Sequence, residues 1–181
     1  RGTEEVGLYK VAYQTALLIP FGLMAVNTAI APTLAQLYTL GDKAKLRKVM
    51  LTASAVATAF ALPLVLLFTG GGKWFLLVVF GEPFVLGAIS LTILVIGQLI
   101  NVLTGPAELM LIMSGNERLA VLANSLGSGI SMFLNAMLIP LWGIEGAALA
   151  TTVTLVLIKC MRVYFVIKLI GKGHTLGNNH E

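Results

Sequence analysis

Apolar residues run in long blocks along this chain, separated by short polar and charged stretches, and no block alternates with period two. The blocks fall at about 11–35, 50–69, 85–114, 119–140 and 144–170. Each reaches or exceeds the ~20 apolar residues with which a helix crosses a ~30 Å hydrocarbon layer. Without alternation the pattern does not suit a β-barrel, and helices are the other way to satisfy backbone hydrogen bonds in lipid. The chain therefore reads as an all-α integral membrane protein, a bundle of about five transmembrane helices. Between the second and third blocks, KWFLLVVFGEPF (Lys73–Phe84) is too short to cross, and Trp74 with its flanking charges suits an interfacial segment. The last stretch, GKGHTLGNNHE (171–181), has no apolar pattern and is expected to be a disordered cytoplasmic tail.

Composition sharpens this reading. Only 11% of the 181 residues are charged and 57% are apolar, against about 25% charged in soluble domains. The net charge of +4 could suggest nucleic acid. Yet the cations occupy short segments between blocks, where membrane proteins keep them, so no nucleic-acid partner is expected. Lys43, Lys45, Arg47 and Lys48 share one connection, Arg118 lies in another, and Lys159, Arg162, Lys168 and Lys172 mark the last helix end and tail. With five spans these nine share one side, against Arg1, Lys10 and Lys73 on the other. The positive-inside rule then places the chain multi-pass in a cell (cytoplasmic or inner) membrane, N-terminus outside and C-terminus cytoplasmic. Because the sequence begins at Arg1 with no signal peptide before the first block, it is expected to be a piece of a longer chain.

Polar side chains inside the blocks are the candidate machinery. In the third block Gln98, Asn101, Gly105 and Glu108 are spaced to share one face of a continuous helix. The fourth repeats this with Asn124, Ser128, Ser131 and Asn135. In the fifth, Thr151, Thr154 and Arg162 share a sector with Lys159 near its edge, and the first carries Gln14, Asn27 and Thr28. Such groups either join helices at about 0.6 kcal/mol per hydrogen bond or wall a polar passage, since facing lipid would leave them without partners. Glu108, Gln98, Asn101, Asn124, Asn135 and Arg162 are thus the candidate transport-path or coupling residues. For Glu108, a functional intramembrane carboxyl competes with a structural carboxylate near the headgroups, paired with Arg118. Lys159 and Arg162 either face the passage or snorkel to the cytoplasmic surface. Pro20, Pro32, Pro63 and Pro106 lie in or at the ends of blocks and suggest helices that bend. Gly105 and Pro106 are the candidate bend of the third.

Nothing points to catalysis. The sequence offers no carboxylate pair, no nucleophile with its base, no phosphate-cradling loop and no metal cluster, so no enzyme activity, cofactor or metal is expected. Cys160 has no second cysteine to pair with, and both histidines lie in the tail.

Five stretches, in order, carry a family resemblance: EEVGLYKVAYQ, VNTAIAPTLAQLYTLGDKAKLRK, VVFGEPF, TILVIGQLINVLTGPAELMLIMSGNERLA and IPLWGIEGAALATT. Together they resemble the C-terminal part of polysaccharide repeat-unit (oligosaccharide) flippases, members of the multidrug/oligosaccharidyl-lipid/polysaccharide exporter superfamily. The resemblance implies most of the C-terminal lobe of a two-lobe transporter, its blocks matching helices eight to twelve. It also implies alternating-access flipping of an undecaprenyl-diphosphate-linked oligosaccharide for cell-surface polysaccharide synthesis. Its implied partners are the lipid bilayer, the lipid-linked oligosaccharide, the missing N-terminal lobe, and a polysaccharide polymerase and glycosyltransferases. Two alternatives stand beside it. One is a multidrug and toxic-compound extrusion-type, cation-coupled efflux transporter using Glu108; the other is a non-transporting membrane scaffold component.

Overall fold

Glycines and prolines, rather than the edges of the apolar blocks, decide where the helices of this protein begin and end. A computed structural model describes the backbone of residues 3–172 and the side chains of 5–170. Its elements are α1 (Thr3–Ala16), α2 (Phe21–Thr39), α3 (Lys43–Gly70), α4 (Gly72–Phe80), a 3-10 helix (Glu82–Gly87), α5 (Ala88–Leu103), α6 (Ala107–Met113) and α7 (Glu117–Lys172). No strand occurs among the described residues.

The first block is not one helix. α1 and α2 meet at a bend of 45°, where Pro20 has no N–H to continue the ladder and stands immediately before α2. The third block is also divided. α5 stops at Leu103, Gly105 takes a φ of 64°, and Pro106 precedes α6. Pro32 and Pro63, by contrast, lie inside the unbroken helices α2 and α3, so only two of the four prolines stand at helix breaks. The fourth and fifth blocks lie in α7, which is split by non-helical Gly143 (φ 59°, ψ −131°). Glycine alone adopts that conformation readily. The interfacial stretch is itself helical, forming α4 and the 3-10 helix, and Trp74 is 63% exposed.

α3 starts earlier than its apolar block. Asp42 caps it, accepting the backbone N–H of Lys45 at 3.0 Å while the Lys45 ammonium reaches the same carboxylate at 2.9 Å. The basic segment from Lys43 to Lys48 is therefore the first turns of a helix rather than a loop. At the other end α7 continues as helix through Lys172, and the rest of the expected tail, with His174 and His180, lies outside the described residues.

By length and hydropathy, two described units can cross a membrane, α3 and Glu82–Leu103; the bent α1–α2 pair makes a third if it is one span. That is fewer than the five or so blocks read from the sequence. Large apolar side chains nevertheless face outward: Phe21, Met24, Phe60, Leu66, Met132 and Phe133 are each between 68% and 79% exposed. Apolar surface on this scale needs lipid or further helices against it. The fold is that of an all-α membrane protein.

Two apolar cores hold the bundle. In the first, α5 (Leu91, Val95, Val102) packs with α1 (Ala12, Ala16) and α3 (Phe68). The second joins α2, α3, α6 and α7 through residues such as Leu34, Leu46, Met110 and Val166. Ala53, Ala57 and Ala61 line the buried side of α3 at intervals of four, a stripe of small residues that allows close helix approach.

Candidate transport site

The break after α5 gives the polar residues their arrangement. Had the third block been one helix, Gln98, Asn101, Gly105 and Glu108 would form a continuous stripe. Instead Gln98 and Asn101 belong to α5 and Glu108 to α6. The turn at Gly105 is tight, since a Cβ there would collide with the Ser54 hydroxyl of α3. Asn101 and Glu108 still open into the same cavity, brought together by the turn rather than by helical periodicity.

Glu108 does not pair with Arg118, which is exposed in the first turn of α7. Its partner is Arg162, from the second half of α7. The guanidinium donates from Nη1 to Oε2 at 2.8 Å and from Nη2 to Oε1 at 2.7 Å. Nη2 also donates to Asn124 Oδ1 at 2.6 Å, tying the two halves of α7 together. Charge-assisted, two-pronged contacts of this kind are among the stronger hydrogen bonds in proteins. Arg162 is 5% exposed and Lys159 7%, so both are sequestered inside the helices rather than snorkelling outward. Removing them from the nine cations counted as loop and tail charges leaves seven against three, and the sign of the asymmetry is unchanged.

The cavity beside this pair measures about 360 Å³ and opens between α2, α5, α6 and α7. Its polar lining is Asn27, Thr28, Asn101, Glu108 and Lys159. Its size is that of a small-ligand site. The Glu108 and Arg162 charges offset one another, which leaves the Lys159 ammonium as the surplus. Among the described residues, Asn27 Oδ1 and Asn101 Oδ1 are buried without a hydrogen-bond partner. Asn101 Nδ2 is occupied, donating to Gln98 Oε1 at 2.9 Å, and Gln98 is itself buried.

Asn135 lies apart from this group. Its Nδ2 donates within its own helix to the Ser131 carbonyl at 2.8 Å, and it borders a separate cavity near Tyr9 and Thr151. Ser128 likewise bonds only to the Asn124 carbonyl one turn earlier, at 3.0 Å. Further contacts between helices come from threonines: Thr151 meets the Tyr9 hydroxyl at 2.7 Å, and Thr152 donates to the Ile93 carbonyl at 3.1 Å. Of the six candidate residues, then, Glu108, Arg162 and Asn124 form one cluster, with Asn101 and Gln98 adjoining it. Lys159 and Asn27 belong to the site but were not among the six. Lys159 stands three residues before Arg162, on the same side of the helix, and that spacing is the signal that marks it.

Comparison with known proteins adds one observation. Residues 1–86 match the profile of a family described as polysaccharide biosynthesis protein. The match covers 86 of the 181 residues, and over these the chain is similar to that family. It includes Asn27 and Thr28 of the cavity; Asn101, Glu108, Lys159 and Arg162 lie beyond it. No curated protein and no solved structure matches the chain significantly.

Proposed function

We propose that this chain is part of a membrane transporter that flips lipid-linked oligosaccharide, of the undecaprenyl-diphosphate type, across the cytoplasmic membrane by alternating access. The observation that carries the reading is the charged cavity of Glu108 and Lys159, backed by Arg162, inside an otherwise apolar helical bundle. Intramembrane charges are costly and mark substrate or ion paths by default. The similarity of residues 1–86 to a polysaccharide biosynthesis family supports a role in polysaccharide synthesis. In this reading the chain is most of one lobe, the outward apolar side chains meet lipid and the second lobe, and the C-terminus is cytoplasmic. The transporter acts beside a polysaccharide polymerase and glycosyltransferases and performs no chemistry of its own.

The extrusion-type alternative needs an acid able to take up a cation. Glu108 is that acid, but both of its oxygens already accept from Arg162, which favours the flippase. The test is complementation of a flippase-deficient strain by the full-length protein, reading surface polysaccharide and accumulated lipid-linked repeat units. Restoration is expected from the full-length protein, and Glu108→Gln should lose more transport than any fall in its membrane abundance accounts for. Full transport by Glu108→Gln would remove the cavity from the transport path.

A further inference from the structure

We infer that a groove between α3 and the last turns of α7 binds an anionic phospholipid of the surrounding bilayer, with an acyl chain in the groove and the phosphodiester on Arg47. The groove shares no lining residue with the Glu108 cavity, so the inference stands apart from the transport reading. α3 packs on α5, and α7 on α5 and α6. A cleft of about 750 Å³ is left between α3 and the end of α7, floored by Thr104, Pro106 and Ala107 of the α5–α6 turn. That volume lies in the range of ligand sites. On the α3 wall, Met50, Leu51 and Ser54 follow Arg47 at three, four and seven residues; on the α7 wall, Val163, Val166, Ile167 and Ile170 repeat that spacing. Each set is one face of a helix.

The interior of the groove suits hydrocarbon. Its two hydroxyls already spend their protons on carbonyls one turn back: Ser54 on Met50 at 3.1 Å, and Thr104 on Ile100 and Asn101 at 3.0 and 2.9 Å. The end at Arg47 suits an anion. Arg47 is exposed, is the lone charged residue on the walls, and makes no ion pair among the described residues. Lys45 nearby is taken by Asp42, while Lys43 lies one turn before Arg47 on the same side of α3. From Arg47 to Ser54 the helix rises roughly 10 Å, which keeps the groove within one leaflet of a ~30 Å hydrocarbon layer. Basic side chains at the start of a span, beside a pocket between helices, are where anionic headgroups bind. A free phosphate would satisfy Arg47 and leave the groove empty. An apolar helix would fill the groove and bring no charge. A zwitterionic lipid would carry a second cation towards Lys43 and Arg47. One guanidinium on the wall matches the single charge of a phosphodiester rather than the greater charge of a polyprenyl diphosphate.

The test is native mass spectrometry of the delipidated full-length protein, titrated with phosphatidylglycerol and with phosphatidylcholine of the same acyl chains. Phosphatidylglycerol should be retained about fivefold more tightly, the equivalent of ~1 kcal/mol for one basic residue at a membrane surface. Arg47→Gln should remove most of that preference, and Arg47→Lys should keep it. Lys48→Gln removes one charge from the same segment but not from this groove, and should also keep it. Leu51→Trp, which crowds an exposed part of the α3 wall, should weaken both lipids alike. The preference is a ratio within each protein, so it survives a variant that folds in lower yield. Equal losses from Arg47→Gln and Lys48→Gln would reduce the effect to general attraction by the basic segment and overturn the inference. Unchanged retention by Leu51→Trp overturns it too, because the chain then lies elsewhere. No lipid retained by the unaltered protein would mean that the groove is covered by another part of its own chain. Undecaprenyl diphosphate displacing phosphatidylglycerol at equal concentration would hand the groove to the carrier lipid instead.

Discussion

Arg162 and Glu108 form a two-pronged ion pair whose members are unequally buried: the arginine side chain is 6% exposed and the glutamate 42%. Which partner is removed should therefore matter. Glu108→Leu leaves a buried guanidinium with Asn124 as its remaining partner, and stripping such a charge costs about 3–5 kcal/mol. Arg162→Leu leaves a carboxylate that water can reach through the cavity, so its loss should be smaller, about 1–3 kcal/mol. The double variant Glu108→Leu/Arg162→Leu should be more stable than Glu108→Leu alone. Thermal unfolding of the three proteins in one detergent checks this ordering; equal losses from the two single changes would contradict it.

Gly105 should be the least replaceable residue of the α5–α6 turn. Its φ of 64° costs a residue with a side chain about 1–2 kcal/mol, and an added Cβ would also run into Ser54. Gly105→Ala is expected to destabilise the protein clearly. Adding Ser54→Gly should recover the steric part and leave the backbone part. Pro106→Ala should be mild by comparison, because Pro106 is not the residue with positive φ. Melting temperatures that fall equally for Gly105→Ala and Pro106→Ala would show that the turn is set by the proline instead.

The sequence disclosed the apolar architecture but not its interruptions. Block boundaries located α7 and its division near 140–144 because Gly143 coincides with a dip in hydropathy. The break at 104–106 was visible as a Gly-Pro pair, yet hydropathy passes smoothly across it, and a continuous helix put Glu108 on the wrong element. Pro32 and Pro63 carried the same signal as Pro20 and Pro106 without breaking their helices. Residue type alone does not say whether neighbours can take up a freed carbonyl. Glu108 and Arg162 were each conspicuous. Their pairing was not, because 54 residues separate them and only the packing of α6 on α7 brings them together. Arg118 looked closer in sequence and proved irrelevant.

The cap of α3 gives a pH dependence with a definite sign. The Asp42 carboxyl is held below its ordinary value, first by the backbone N–H of Lys45 and then by the Lys45 side chain. A depressed carboxylate contributes stability that is complete above its unfolded value and fades as pH falls through the folded one. Asp42→Asn keeps an N-cap acceptor but not the charge. The stability advantage of the native protein over Asp42→Asn should shrink as pH drops from neutral to about 3. An advantage that is constant or grows on acidification would show that the charge plays no part.

Orientation is the remaining expectation, and burial makes its test cleaner. With Lys159 and Arg162 assigned to the interior, the cation asymmetry rests on the helix start around Lys43–Lys48, Arg118, Lys168 and Lys172, against Arg1, Lys10 and Lys73. Loop charges of this kind set topology when they lie near the ends of spans. Ala44 is exposed among the first group and Lys73 among the second. In a Cys160→Ser background, which removes the exposed native thiol, Ala44→Cys should react with a membrane-impermeant maleimide only after the cells are opened. Lys73→Cys should react in intact cells. The N-cap at Asp42 and the charge of the segment are preserved in Ala44→Cys, so the label reports native topology. Labelling of Ala44→Cys from outside would invert the assignment.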